Sequence, residues 1–286
     1  MIRDDWEAVY QNQDKILNAL KILEDDIFLA GGTGLHRFIL PCAYRHSEDL
    51  DFFFPTLQKG SKVIKTGEKI ETIIKTIPGA SLEQSRWIRE EETYRFWCSF
   101  EDNSELIKVE LLNFTCTRLG ETDFILAPFK TENPYNLLLY KLKALCDRPD
   151  TIKDLFDLYF LFRKFSSINI DKLINDLNIK FENAIGIRYK RKHIIKALNH
   201  QLRWDIELSD IKHSQDLILE VNLFQKRLQE SFKKDKQLDF SDATRIKQNA
   251  KRHKLDIKSY IELIEILDEN TFWIDDVIKK TLKPTK

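Results

Sequence analysis

Along this chain the apolar residues keep helical spacing in long runs and strand spacing in a few short ones. Recurrence at intervals of three and four predicts helices over Asp5 to Leu23 and Val63 to Thr76. Short blocks rich in β-branched and aromatic residues predict strands at Ile27 to Ala30, Asp49 to Phe54, Thr93 to Phe100 and Leu106 to Phe114. A short helix is expected between the first two strands. From Pro134 onward the helical period takes over. It predicts helices at Pro134 to Arg148, Thr151 to Lys164, Lys190 to Arg203, Ser214 to Lys233, Asp242 to His253 and Lys258 to Glu269. Pro134 suits a first helical position, where its missing amide costs nothing. The expected fold is therefore α+β, with a small mixed-sheet α/β domain over residues 1–130 and a helical-bundle domain over residues 131–286.

Composition sharpens this picture. A length of 286 residues fits two domains at roughly 150 residues each. Gly and Pro number only 8 and 7, far below the roughly 12% of average proteins, which excludes disordered, collagen-like and turn-rich all-β chains. Beyond Glu121 the one glycine is Gly186, and no proline falls between Pro149 and Pro284. Lys and Arg total 46 against 46 Asp and Glu, so a uniformly basic coat is excluded while a local basic face is not. Cys42, Cys98, Cys116 and Cys146 stand singly, without the short spacing of a zinc clamp or redox pair, and read as buried thiols. The six histidines show no metal-ligand spacing. The start, MIRDDWEAVYQNQDK, has no apolar signal core, and no stretch reaches the roughly 18 apolar residues of a membrane span. A cytoplasmic protein without membrane contact is expected.

Three of the eight glycines, Gly31, Gly32 and Gly34, crowd into four positions between an apolar strand and an apolar helical stretch. Backbone stripped of side chains there suits close approach to a phosphate, met by free amides at the start of the following helix. No Gly-Lys-Ser/Thr follows, so this is not a P-loop. Downstream, Asp49 and Asp51 alternate with Leu50 and Phe52. Residues two apart on a strand share a face, roughly 6.6 Å apart, so the two carboxylates converge while the apolar pair points into packing. Carboxylates held that close repel, and a hard divalent cation such as magnesium relieves them.

The order strand, Gly-Gly, short helix, Asp-apolar-Asp resembles the polymerase-β-like nucleotidyltransferase superfamily. More narrowly, Ala30-Gly31-Gly32-Thr33 followed by Arg45-x-Ser47-x-Asp49-Leu50-Asp51-Phe52-Phe53 resembles the AbiEii/AbiGii-type nucleotidyltransferase toxins of type IV toxin-antitoxin systems. A second match, Tyr140-Lys141-Leu142-Lys143-Ala144-Leu145, then Arg148, then Lys153-Asp154-Leu155-Phe156-Asp157-Leu158-Tyr159, is similar to that family's helical motifs. The resemblance covers about residues 25 to 165. It implies transfer of a nucleotidyl group from a nucleoside triphosphate (NTP) to an acceptor hydroxyl. Asp49 and Asp51 would hold Mg2+, with Glu110 as third metal ligand, although the family usually has an aspartate there. Gly31, Gly32, Thr33, Arg45 and Ser47 would bind the NTP. Lys141 would place positive charge on its phosphates, and Asp154 would be a further catalytic residue.

Residues 187–258 carry 18 Lys and Arg against 10 Asp and Glu, a net of +8 that the rest of the chain must offset. One cluster is Arg188, Lys190, Arg191, Lys192 and Lys196; a second is Lys247, Lys251, Arg252 and Lys254. Such clusters suit an RNA backbone, and the resemblance implies a transfer-RNA end as acceptor, a toxin role of the abortive-infection kind and a cognate antitoxin as partner. Two other readings stay open at this point: a noncatalytic RNA- or protein-binding module on the same fold, and a nucleotidyltransferase for a small molecule such as an antibiotic.

Overall fold

A computed structural model describes residues 6–39, 45–89, 92–101, 103–113, 116–120, 125–126, 128–163, 167–200, 214–234 and 238–239. The helices expected at Asp242 to His253 and Lys258 to Glu269, the second basic cluster and Cys42 lie outside these residues. The chain divides into two compact units. One comprises Met1–Ile39, His46–Leu137 and Asn183–Ile185; the other comprises Leu40–Arg45, Leu138–Glu182 and Gly186–Lys286.

The first unit is a five-stranded mixed sheet with helices on one face. Its elements run α1 (Trp6–Leu20), β1 (Phe28–Ala30), α2 (Gly31–Thr33, continued by a π-helical stretch Gly34–Ile39), β2 (Leu50–Phe53), α3 (Gly60–Ile74), β3 (Ala80–Ile88), β4 (Thr93–Phe100) and β5 (Asn103–Leu112). Spatial order is β1-β2-β5-β4-β3, with β2 and β5 parallel and the other pairs antiparallel. Strand β4 shows why one face is dry. Tyr94, Phe96, Cys98 and Phe100 are buried, while Arg95, Trp97 and Ser99 between them are half-buried on the other side. Leu50, Phe52, Val109 and Leu111 join that dry face and pack on Ile16, Leu17 and Leu20 of α1 and Val63, Ile70 and Ile74 of α3. At Gly67 a Cβ would fall 2.8 Å from Tyr94 Cδ2, so glycine is what lets that ring lie against the helix. A short hairpin, β6 (Ile125–Leu126) with β7 (Phe129–Lys130), is followed by a bridge from Thr131 to Leu29.

Strand β3 was not foreshadowed by alternation. Glu83, Gln84, Ser85 and Arg86 are all exposed on this strand, which among the described residues pairs with β4 alone and is bulged between Glu83 and Arg86.

The second unit is helical. Helix α4 (Pro134–Asp147) crosses the unit boundary and begins where the Asn133 Oδ1 accepts from the Asn136 amide at 2.8 Å, with Pro134 at the expected first position. Helix α5 (Ile152–Arg163) is buried along its whole length except at Lys153, which differs from the amphipathic helix the periodicity predicts. Around it lie α6 (Ile170–Ile185), α7 (Arg191–Leu198) and α8 (Ser214–Lys234). Tyr159 and Phe162 of α5 meet the Phe224 ring of α8 at centroid distances of 5.5 and 5.6 Å, and Tyr140 of α4 meets Phe181 of α6 at 5.3 Å. Helix α6 is absent from the sequence expectations even though Ile170, Leu173, Leu177 and Phe181 form one buried stripe. Its isoleucines and asparagines are middling helix formers, and the element is secured by its ends. Asn169 Oδ1 accepts from the Lys172 amide, and Gly186 closes it at φ +65°.

Candidate active site

Strand β1 ends at Ala30, which pairs with Asp51 of β2. The next residue, Gly31, has φ +65°, a conformation that other residues rarely adopt. A Cβ there would fall 2.8 Å from Asp51 Cγ and closer still to its Oδ2. Glycine is thus required twice, by the backbone angle and by the carboxylate filling its side-chain space. Gly32 is half-buried beside it. Thr33 faces inward instead of toward a ligand. It is fully buried, and its hydroxyl contacts Ser47 Oγ at 3.1 Å and the Asp49 carbonyl. Thr33 and Ser47 together pin the segment that enters β2. Gln13, buried on the apolar face of α1, supports the same segment by donating to the Ser47 and Glu48 carbonyls, both at 3.1 Å.

The wet face of the sheet carries the acidic groups. Asp51 registers with Glu110 across the parallel β2–β5 pair, and Glu110 registers with Arg95 on β4. Lys108 Nζ lies 2.8 Å from Asp49 Oδ2 and 3.1 Å from Glu110 Oε2, so both acids open on its side of the sheet. Arg95 also donates to Glu110. Burial pulls the Lys108 ammonium down, but its hydrogen bond to Asp49 and the charges of Asp49 and Glu110 outweigh this and leave it above the usual lysine range. Among the described residues no three acidic, imidazole or thiol groups converge as a ready-made metal site. Glu110, expected as the third ligand, is held by the two cations. The donors fit a hard cation nonetheless. Asp49, Asp51 and Glu110 offer carboxylate oxygens, the donor type a hard cation takes, and Lys108 already lies against two of them as a positive charge. Sequence reasoning missed Gln13, Lys108 and Arg95; only the two-residue spacing of Lys108 from Glu110 hinted that they share a face.

The second unit brings together Arg45, Lys141, Arg148, Asp154 and Asp157. Asp154 and Asp157, three apart on α5, are completely buried. Arg45 grips Asp157 with Nε and Nη2, both at 2.9 Å. Lys141 Nζ bridges the acids, 2.6 Å from Asp157 and 3.1 Å from Asp154. Arg148 completes the set on Asp154 at 2.6 and 3.0 Å. These are charge-assisted bonds, largely dry around Arg45 and Lys141 but half exposed at Arg148, and removing Asp157 would strand the buried Arg45 guanidinium at roughly 3 to 5 kcal/mol. Asp154 therefore orients Lys141 and Arg148. Lys153, half-buried and without an ion pair among the described residues, is driven below the usual lysine range by burial and then by Arg148 and Arg45. Four cations around two carboxylates leave the cluster in positive surplus.

The basic segment precedes and enters α7. Arg188, Lys190 and Lys192 are exposed, whereas Arg191 is tied to Asp171 and to the Phe232 carbonyl. Among the described residues no helix is long and apolar enough to cross a membrane.

Comparison with known proteins places this geometry. The family model for the nucleotidyl transferase AbiEii toxin of type IV toxin-antitoxin systems matches residues 15–266. Among solved structures, MenT4, the nucleotidyltransferase toxin Rv2826c of Mycobacterium tuberculosis H37Rv, is similar with TM-score 0.53 and 15% identity, over 92% of this chain and 94% of that one. JHP933 from Helicobacter pylori is similar with TM-score 0.50 and 19% identity, over 82% and 96% respectively. At such identities these two likenesses speak for the fold alone. No curated protein matches the chain.

Proposed function

This chain belongs to the AbiEii family of nucleotidyltransferase toxins of type IV toxin-antitoxin systems, and from that premise we propose that it carries a nucleotidyl group from an NTP to an RNA hydroxyl with magnesium, the acceptor being a transfer-RNA end. The observation that carries this reading is the Gly31 turn, shaped so that the Asp51 carboxyl occupies the space of the missing side chain. Family membership itself brings an NTP substrate and an antitoxin partner.

In the reaction the acceptor oxygen bonds to the α-phosphorus, the bond from that phosphorus to pyrophosphate breaks, and the hydroxyl proton leaves to a carboxylate of the site or to water. Asp49 and Asp51 would hold magnesium, which supplies Lewis acidity at the phosphoryl group and lowers the acceptor pKa. Thr33, Ser47 and Gln13 fix the backbone from which Asp49 projects. The half-buried Gly31-Gly32 turn, without side chains, would let phosphate oxygens come close to its backbone. Glu110 anchors Lys108 and Arg95 beside the two aspartates. Lys141, held by Asp154 and Asp157, would be the cation that meets developing phosphate charge, the role the family resemblance gives it. The +8 of residues 187–258 favours RNA over a small acceptor.

The test is incubation with each α-labelled NTP, magnesium and total RNA. Label on RNA that disappears with chelator is expected. Label on a small metabolite would favour the antibiotic-type reading, and RNA binding without transfer would favour the noncatalytic module.

Lys153 yields a separate expectation. Its lowered pKa means that charging it costs the fold energy, a cost fully present below its folded pKa and relieved as pH rises through that value toward the ordinary 10.5. At neutral pH, Lys153→Met should raise the melting temperature. Tripolyphosphate should stabilise the wild type and stabilise this variant less, as thermal melts with and without the anion would show.

A further inference from the structure

On the second unit a cavity of about 320 Å³ opens between the end of α4 and helix α7, at the small end of ligand-sized pockets. His193, Lys196 and His200 line it at helical spacing, and Asp147, Tyr189, Pro149 and Ile187 line it too. The backbone of Tyr189 is clamped by buried Asn178, which donates to its carbonyl at 3.0 Å and accepts from its amide at 2.7 Å. His193 Nδ1 accepts from the Lys190 amide at 3.2 Å, so the nitrogen it has left to offer, Nε2, is a donor. The Lys196 and His200 side chains make no hydrogen bond or ion pair among the described residues. On the acceptor side stands Asp147, whose charge is met by Lys143 and by the Tyr189 hydroxyl at 3.2 Å. Burial pushes the nearby Cys146 thiol up to about 12, which leaves it in the thiol form at neutral pH.

We infer that this cavity seats one nucleotide of the RNA acceptor, its phosphate on Lys196, His193 and His200, its ribose hydroxyl or base amine on Asp147, and its apolar face against Pro149 and Ile187. A nucleotide uses all three kinds of lining group. An acidic peptide would use the donors and leave Asp147 and the apolar wall without a role. Arg188 and Lys190, exposed on either side of Tyr189 in the chain, continue the positive charge along the backbone path. The inference rests on the RNA-acceptor reading above and adds a place for that RNA.

The experiment is fluorescence anisotropy of a labelled single-stranded RNA 12-mer against the full chain and its Lys196→Ala and His200→Ala variants, across a salt series. Lys196→Ala should weaken binding about tenfold and lower the slope of log affinity against log salt by about one. In parallel, wild-type protein is photocrosslinked to 4-thiouridine RNA and the modified peptides are mapped, a readout that survives any misfolding of the variants. Crosslinks within residues 187–200 are expected. Failure of the wild type to bind RNA at any salt would overturn the acceptor reading itself. RNA binding with normal affinity and slope in both variants, and crosslinks elsewhere, would overturn this site alone. Competition by AMP or by polyglutamate as effective as by unlabelled RNA would also overturn it, in favour of a free nucleotide or an acidic protein.

Discussion

Asp51→Asn is expected to abolish nucleotidyl transfer, by a factor of about a thousand or more, while leaving the fold intact. The amide keeps the size of the carboxyl and still fits the space beside Gly31, but it removes the negative charge on which a divalent cation depends. Loss of one electrostatic element of such a site typically costs a hundred- to a thousandfold in rate, and loss of a metal-holding carboxylate falls at or beyond that upper end. Because the amide keeps the shape of the carboxyl on this face, beside Glu110 in register, the melting temperature should stay close to that of the wild type. The check is single-turnover transfer of labelled NTP beside a thermal melt.

Gly31→Ala is the second large expectation, and it separates geometry from charge. At φ +65° an alanine costs roughly 1 to 2 kcal/mol, about 2 to 3 °C in melting temperature for a chain of this size. The larger consequence is positional. The new methyl cannot coexist with the Asp51 carboxyl where it stands, so Asp51 must turn away and transfer should fall about a hundredfold or more. Gly34→Ala is the control. That residue has helical backbone angles, and its added Cβ would meet Thr131 Cγ2 at 3.4 Å, so activity should change little. Loss of transfer in both variants alike would mean that the Asp51 fit is not what the glycine provides.

Parts of this architecture were legible in the sequence because they rest on local periodicity. The aromatic and β-branched content of Thr93 to Phe100 marked β4, and Asp49-Leu50-Asp51-Phe52 marked in β2 both its core residues and its acidic face. Three glycines in four positions marked the turn. What stayed hidden were partnerships across long sequence separations. Arg45 reads as a phosphate-binding residue beside the strand, yet its fork closes on Asp157, 112 positions away. Nothing near Lys108 announces that β2 will lie parallel to β5 and bring Asp49 to it. Gln13 looks like a stray polar residue on an apolar helix face until the two carbonyls it holds are seen. Asp154 and Asp157 could be placed on one helical face by spacing, but their complete burial depends on the helices that enclose α5.

The central claim is that Asp49 and Asp51 form the cation-holding pair of the transfer centre. Its most direct measurement is a titration of Mn2+, followed by the paramagnetic resonance of the free ion, with a nonhydrolysable NTP analogue present. Wild-type protein should bind the ion, Asp51→Asn should lose that binding, and Lys108→Gln should strengthen it severalfold by withdrawing the competing ammonium from Asp49. Mn2+ bound equally well by the wild type and by Asp51→Asn would contradict the account.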